Sequence, residues 1–365
     1  MPSRIVAHIK NWYGTFERPI SSLSLIGGFV FDAVTLTRVD EFWENVWVGV
    51  HLLIVAICII LINLQENEGE SESNPNKLHF WLLNALQWFF GGLLSTYLVF
   101  YFRSGTLAAS WPFFVVLAAA FIANERLKKH YARLTFQISI LFLSILLFSI
   151  YIVPVIMHEI GMQIFILSGI VSIIVLGIFL FVLRLSAKEK FKKSRIPLAL
   201  SAGGIFVAMN ILYFFNLIPP LPISLKDAGV YQVFAVNAPG NYTAQYENQG
   251  ALGFLKPSET IHITPGAPLY AYSAVFSPTS FATKVIHEWQ YYDETTKAWI
   301  TRGRIALATT GGSDNGYRTF SMEENFTPGN WRVNIKTPQG QIIGRLNFTV
   351  IVTSTPPSLQ TLQID

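Results

Sequence analysis

Asp32 stands inside the apolar run LIGGFVFDAVTLT, residues 25–37. An ionisable group at membrane depth is costly to hold and is a functional candidate by default. Its chemistry there would be proton or cation handling. The alternative is a structural place near the headgroups, with Arg38, six residues on, as partner. Single amides follow in later apolar runs, at Asn63, Asn84, Gln87, Gln137, Gln163 and Asn210. Such groups commonly bond one helix to another; with Asp32, we take Asn84 and Gln87 as the intramembrane polar candidates. A second set lies near the C-terminus: His287, Arg318, Arg332 and Arg345, with Arg302 and Arg304 nearby. Arginine forks match carboxylates and phosphates, so His287, Arg318, Arg332 and Arg345 are the candidate ligand-binding residues. Two observations oppose that reading. Residues 224–365 carry ten acids against ten bases, as an ordinary solvated face would. His287 shares a strand face with Val285, Trp289 and Tyr291, which points it toward a core.

Other chemistry is not supported. His158 and Glu159 are adjacent but lack further ligands for a metal. GGSDNG resembles part of a calcium loop, yet the twelfth position counted from Asp314 is Asn325, where a carboxylate is needed. The zinc-protease, nucleophile-elbow and phosphate-loop patterns do not occur. Cys58 is the single cysteine, which rules out an internal disulfide. No catalytic set, cofactor or metal site is expected. Sequons at Asn241, Asn325 and Asn347 matter only in a eukaryotic secretory pathway.

The elements that must position these residues follow from composition. Of 365 residues, 52% are apolar and 13% charged, and the mean hydropathy is +0.42. Soluble chains carry about 25% charged residues, so a membrane protein is expected. Residues 1–18 read as a short amphipathic lead on the cytoplasmic surface, with Ile5, Ile9, Trp12 and Phe16 at helical spacing and no cleavable leader. Seven apolar runs approach the ~20 residues that cross a bilayer: 19–37, 46–64, 78–102, 106–123, 135–157, 162–183 and 196–218. The third and fourth, divided by RSG, are expected to form a tight helical hairpin. Gly91-x-x-x-Ser95, Ser168-x-x-x-Ser172 and Gly204-x-x-x-Ala208 offer close helix packing. Residues 1–223 hold 16 basic and 12 acidic residues, so the whole net charge of +4 lies there. The basic stretches NERLKKHYAR (124–133) and RLSAKEKFKKSR (184–195) follow the fourth and sixth runs. By the positive-inside rule both are cytoplasmic, as is the N-terminus, and the C-terminus lies outside.

Pro219, Pro220 and Pro222 end the helical pattern. We read 219–228 as a Pro-rich linker, 229–352 as a β domain and 353–365 as a flexible tail. Short alternating segments divided by NAPGN, TPGAP, DETTK and TPGN argue for a two-sheet, immunoglobulin-like sandwich. GNWRVNIKTPQGQIIGRLNFTV (329–350) is its clearest hairpin, with Trp331, Val333, Ile335, Leu346, Phe348 and Val350 on one face.

Residues 287–350 also resemble a family. His287 and Trp289, Gly316-Tyr317-Arg318 with Ser321, Gly329-x-Trp331-x-Val333, Gly340 and Phe348-x-Val350 are similar to an uncharacterised domain-of-unknown-function family, found at the C-terminus of Gram-negative membrane proteins. The resemblance implies a bacterial envelope protein and carries no activity or binding residue with it. The expectation is therefore an inner-membrane anchor with a periplasmic β domain that binds an envelope glycan or a partner membrane protein. Nucleic-acid binding is not expected, because no concentrated basic face exists. A transporter or lipid-handling protein is the alternative. A membrane enzyme near Asp32, His51 and His158 is a further one.

Overall fold

The computed structural model describes residues 26–36, 38–67, 77–105, 107–238, 241–248, 258–278, 282–310 and 316–364. The amphipathic lead at 1–18, the start of the first apolar run and most of the GGSDNG turn lie outside them. The chain divides into two compact units: residues 1–101, 112–156 and 163–212, and residues 102–111, 157–162 and 213–365.

The first unit is helical. Among the described residues its elements are α1 (Ile26–Thr35), α2 (Phe42–Asn67), α3 (Lys77–Ser104), α4 (Leu107–Arg126), a 3₁₀ turn (Lys128–Ala132), α5 (Leu134–Met157), α6 (Met162–Ser186) and α7 (Lys188–Phe214). Five of these helices, α2, α3, α5, α6 and α7, are long and apolar enough to cross a membrane. Helix α7 begins eight residues before the apolar run predicts. The stretch KEKFKKSR is helical because Lys, Glu and Arg are good helix formers. α4 is kinked at Ser110, just before Pro112, whose ring removes an amide donor.

Buried polar groups lock neighbouring helices. Asn63 Nδ2 of α2 donates to Gln137 Oε1 of α5 at 2.8 Å. Tyr97 and Tyr101 of α3 donate their hydroxyls to the carbonyls of Ser144 and Leu147 at 2.9 and 3.0 Å. Both tyrosines therefore bury a large apolar body without orphaning a hydroxyl. The ring of Tyr101 also meets Phe113 at 4.8 Å, while Gln87 reaches Asn124 and Glu125 from the other end of α3. These pairs run α3 and α4 antiparallel, the hairpin that RSG predicts. A Cβ on Gly169 of α6 would lie 3.1 Å from the Phe206 ring of α7, so this close approach relies on the missing side chain.

The second unit is β-rich. Its strands are β1 (Ser224–Tyr231), β2 (Val233–Ala238), β3 (Asn241–Glu247), β4 (Glu259–Ile263), β5 (Leu269–Phe276), β6 (Ala282–Asp293), β7 (Ala298–Thr310), β8 (Tyr317–Glu323), β9 (Gly329–Lys336), β10 (Ile342–Val352) and β11 (Leu359–Ile364). They form three sheets, with orders β1-β5-β8, β4-β10-β9-β6-β7 and β11-β3-β2. The sheet β1-β5-β8 is apolar on both faces. Val230, Leu269 and Ala271 pack with Trp289, Trp331, Val333 and Phe348 of the five-stranded sheet. Tyr231, Tyr272 and Ala274 point the other way, onto Phe234, Ala244 and Ile364. The arrangement is thus three stacked layers where a two-sheet sandwich is the sequence-based expectation. Alternation alone cannot separate the two, because a strand buried on both faces reads as a nearly continuous apolar run.

Two boundaries also move. β1 starts at Ser224, inside the expected linker, and β11 occupies much of the expected tail by pairing with β3 from Leu359↔Glu247 to Ile364↔Tyr242. The hairpin at 329–350 forms as expected, with Trp331 opposite Phe348 and Val333 opposite Leu346. Its turn is closed by Thr337 N–H donating to Gln341 O at 2.9 Å, and Gly340 takes φ +92°, a conformation that favours glycine.

Candidate functional site

Strand pairing turns the alternation of β6, β7, β9 and β10 into ordered rows. Arg304, Glu288, Asn334 and Arg345 stand opposite one another across the four strands. One step along, Thr301, Gln290, Arg332 and Asn347 form the next row. The side chains of Glu288, Arg304, Asn334 and Arg345 bond to one another on the face opposite the Trp289 and Trp331 core. Glu288 is at its centre, with its side chain 1% exposed. Its Oε1 accepts from Arg304 Nε and Nη2 at 2.8 and 2.6 Å. Its Oε2 accepts from Lys336 Nζ and, at 3.3 Å, from Asn334 Nδ2. Burial by itself would raise the Glu288 pKa; hydrogen bonds from Lys336, Arg304 and Asn334 outweigh it and hold the carboxyl below its ordinary value.

One carboxylate faces four cations here. Arg332 Nε donates to Gln290 Oε1 at 2.7 Å, and Arg345 Nε donates to Asn334 Oδ1 at 2.6 Å. The Arg332 guanidinium lies 4.0 Å from the Trp299 ring centroid, a cation–π contact. Among the described residues, no side chain accepts from the terminal Nη groups of Arg332 or Arg345. Burial first, and then the repulsion of Arg345, lower the Arg332 pKa from its ordinary value to about 10, against the pull of Glu288. Two partly desolvated guanidiniums with outward donors, held by neutral amides, have the geometry and charge that suit a carboxylate or phosphate.

The structure therefore brings Arg332 and Arg345 together and leaves the other two C-terminal candidates elsewhere. Arg318 stands on β8 beside Tyr272, whose hydroxyl is pushed up to about 12, chiefly by burial. His287 is fully buried between sheets, the correction that its apolar strand neighbours anticipate. Its Nε2 lies 2.8 Å from Ser273 Oγ and its Nδ1 2.8 Å from Ser321 Oγ. Trp289 Nε1 donates to the same Ser321 Oγ at 3.0 Å, and Ser273 Oγ meets Thr319 Oγ1 at 3.1 Å. Burial pushes the His287 pKa down to about 4.

Glu288, Gln290, Trp299, Asn334 and Lys336 are not sequence candidates. The alternation of KVIHEWQYYD places Glu288 and Gln290 opposite His287 and Trp289, which was a usable signal. That Arg304 and Lys336 converge on Glu288 depends on register, and register is tertiary information.

In the helical unit, Asp32, Asn84 and Gln87 line one cavity of about 930 Å³. Asp32 accepts from Ser95 Oγ at 2.5 Å, while Arg38 turns to Asp40 at 2.7 Å and is not the partner of Asp32. Glu125 Oε2 accepts from Gln87 Nε2 at 3.2 Å. His51 also lines the cavity and donates from Nδ1 to Trp47 O at 2.9 Å. Asn84 bonds within its own helix, to Phe80 O. Among the described residues, no group of three His, Cys, Asp or Glu could hold a metal ion.

The two units define the class: helices long and apolar enough to cross a membrane, followed by a β region. A DUF2914 domain, described as a protein of unknown function, is found at residues 282–350, consistent with the resemblance read from the motifs. Those residues include all of β6, β7, β8 and β9 and the whole Glu288 network. No curated protein matches the chain. Among solved structures, a β-glucosidase from Listeria innocua in complex with glucose is 10% identical over 31% of this chain and 17% of that chain, with a TM-score of 0.20. A Pseudomonas fluorescens alkylpurine DNA glycosylase bound to DNA is 8% identical over 86% of this chain and 99% of that chain, with a TM-score of 0.23. Likenesses this slight carry no inference on fold or function.

Proposed function

We propose that this chain is a seven-crossing protein of the bacterial inner membrane, whose periplasmic β unit binds an envelope component through carboxylate or phosphate groups. The observation that carries this reading is the outward face of β6, β7, β9 and β10, where four cations surround one buried carboxylate. An acidic envelope glycan is the ligand class that suits it. Arg332 and Arg345 repel one another, and an anion between them relieves that repulsion. Trp299, with the Arg332 guanidinium over its ring, holds that donor in place for the anion. The antiparallel course of α4 along α3 supports counting it with the five apolar helices, and the apolar run 19–37, of which α1 is the described part, supplies the seventh crossing in this reading.

Two experiments test the proposal. With the intact protein in nanodiscs, carboxylate- or phosphate-bearing envelope glycan fragments should bind, and neutral oligosaccharides should not. Arg332→Ala and Arg345→Ala should each weaken binding about tenfold, the scale of one lost charge-assisted hydrogen bond. Retention that is absent, or indifferent to both substitutions, overturns the glycan reading; retention of an envelope protein alone would replace the ligand class. For orientation, alkaline phosphatase fused after residue 225 should be active and after residue 130 inactive. The reverse pattern rejects a periplasmic β unit.

A further inference from the structure

The cavity in the helical unit has its own chemistry, distinct from the sheet face. Among the described residues it is lined by two carboxylates, Asp32 and Glu125, and by no lysine or arginine. Each carboxylate is met by a neutral donor, Ser95 for Asp32 and Gln87 for Glu125. No ion pair to either is present among the described residues. His51 donates from Nδ1 to the Trp47 carbonyl, so the neutral ring keeps its Nε2 lone pair as a further acceptor. Much of the remaining wall is aromatic, with glycines, Asn84 and Asn124 between the rings. Trp47 and Trp88 flank His51 at centroid distances of 4.5 and 6.3 Å, and Trp81 also lines the cavity.

Carboxylates in such surroundings are costly to hold without a positive partner. Tryptophan faces attract cations that have shed water. About 930 Å³ is far more than a proton or a bare metal ion needs and falls within the range of cavities that hold small organic molecules. We propose that this cavity binds an organic ammonium group, the cation beside Asp32 and Glu125 and the carbon body against Trp47, Trp81 and Trp88. The ammonium can belong to a soluble amine or to the headgroup of an amine-bearing lipid; the chemistry of recognition is shared.

The test uses the full chain in nanodiscs of phosphatidylglycerol, with benzyltrimethylammonium as the probe and calorimetry as the readout. The probe should bind, and benzenesulfonate should not. Asp32→Asn should lower the affinity about tenfold, and Glu125→Gln and Trp88→Leu should each lower it severalfold. Because Glu125 and Trp88 stand on different helices from Asp32, a folding defect in any one variant leaves the other two informative. Adding phosphatidylethanolamine to the nanodiscs separates the sources. Competition that weakens the probe at least tenfold assigns the site to a lipid headgroup, and unchanged binding assigns it to a soluble amine. No binding to the unmodified protein, equal binding of benzenesulfonate, or indifference to all three substitutions overturns the proposal.

Discussion

Glu288→Gln is expected to destabilise the β unit by about 3–5 kcal/mol, the loss typical when one partner of a buried ion pair is removed. The carboxylate receives Arg304 and Lys336, and Asn334 as well. The amide can accept one or two of these bonds and cannot neutralise either cation. Arg304 is 68% exposed and can turn to water, whereas Lys336, at 20%, and the half-buried Arg345 cannot do so as freely. The cost therefore arises from the cations left behind more than from the lost contact. Hydrogen exchange of the β6 and β9 amides, compared between wild type and variant, reads the change without requiring the helical unit to unfold. A difference below about 1 kcal/mol would show that the network is a solvated surface. Among molecules that remain folded, the same substitution should tighten binding of an anionic ligand, since it removes the one internal competitor for the arginines.

His287 should make the β unit sensitive to mild acid. In the neutral ring, one set of proton positions satisfies the whole cluster: Trp289 donates to Ser321, Ser321 to Nδ1, Nε2 to Ser273, and Ser273 to Thr319. Protonation makes both ring nitrogens donors and reverses the Ser321 link, in a place where burial already opposes charge. The folded pKa is about 4 against an ordinary 6.5. Between these values the unfolded chain binds a proton that the folded one does not. Stability is therefore fully present above pH 6.5 and falls as the pH drops toward 4, by about 2 kcal/mol by pH 5. Glu259 and Glu323, both raised by burial, act in the opposite direction as the pH falls. The difference between wild type and His287→Asn isolates the histidine: the variant should be less stable at pH 7.5 and lose less on acidification. Equal slopes in the two proteins, measured by hydrogen exchange corrected for intrinsic rates, would remove His287 as the cause.

What the sequence determined by itself is local and periodic. Runs of about twenty apolar residues specify helices that suit a bilayer, because every backbone group must be satisfied within the segment. Alternation over 329–350 specified which side of the hairpin is buried, since side chains on a strand change face at every residue. It also placed His287 with Trp289 on the core side. The motifs of 287–350 were enough to point to the domain family.

The tertiary structure decided what depends on which strands and helices meet. Three layers in place of two, and β11 in place of a loose tail, follow from pairings between residues more than a hundred positions apart, such as Leu362 with Ala244. Glu288 gained its importance only when register set Arg304 opposite it on one side and Asn334 on the other. Asp32 exchanged its sequence neighbour Arg38 for Ser95, sixty-three positions away. In each case the energy lies in desolvated polar groups brought together by packing, and no period in the chain records where a distant partner will stand.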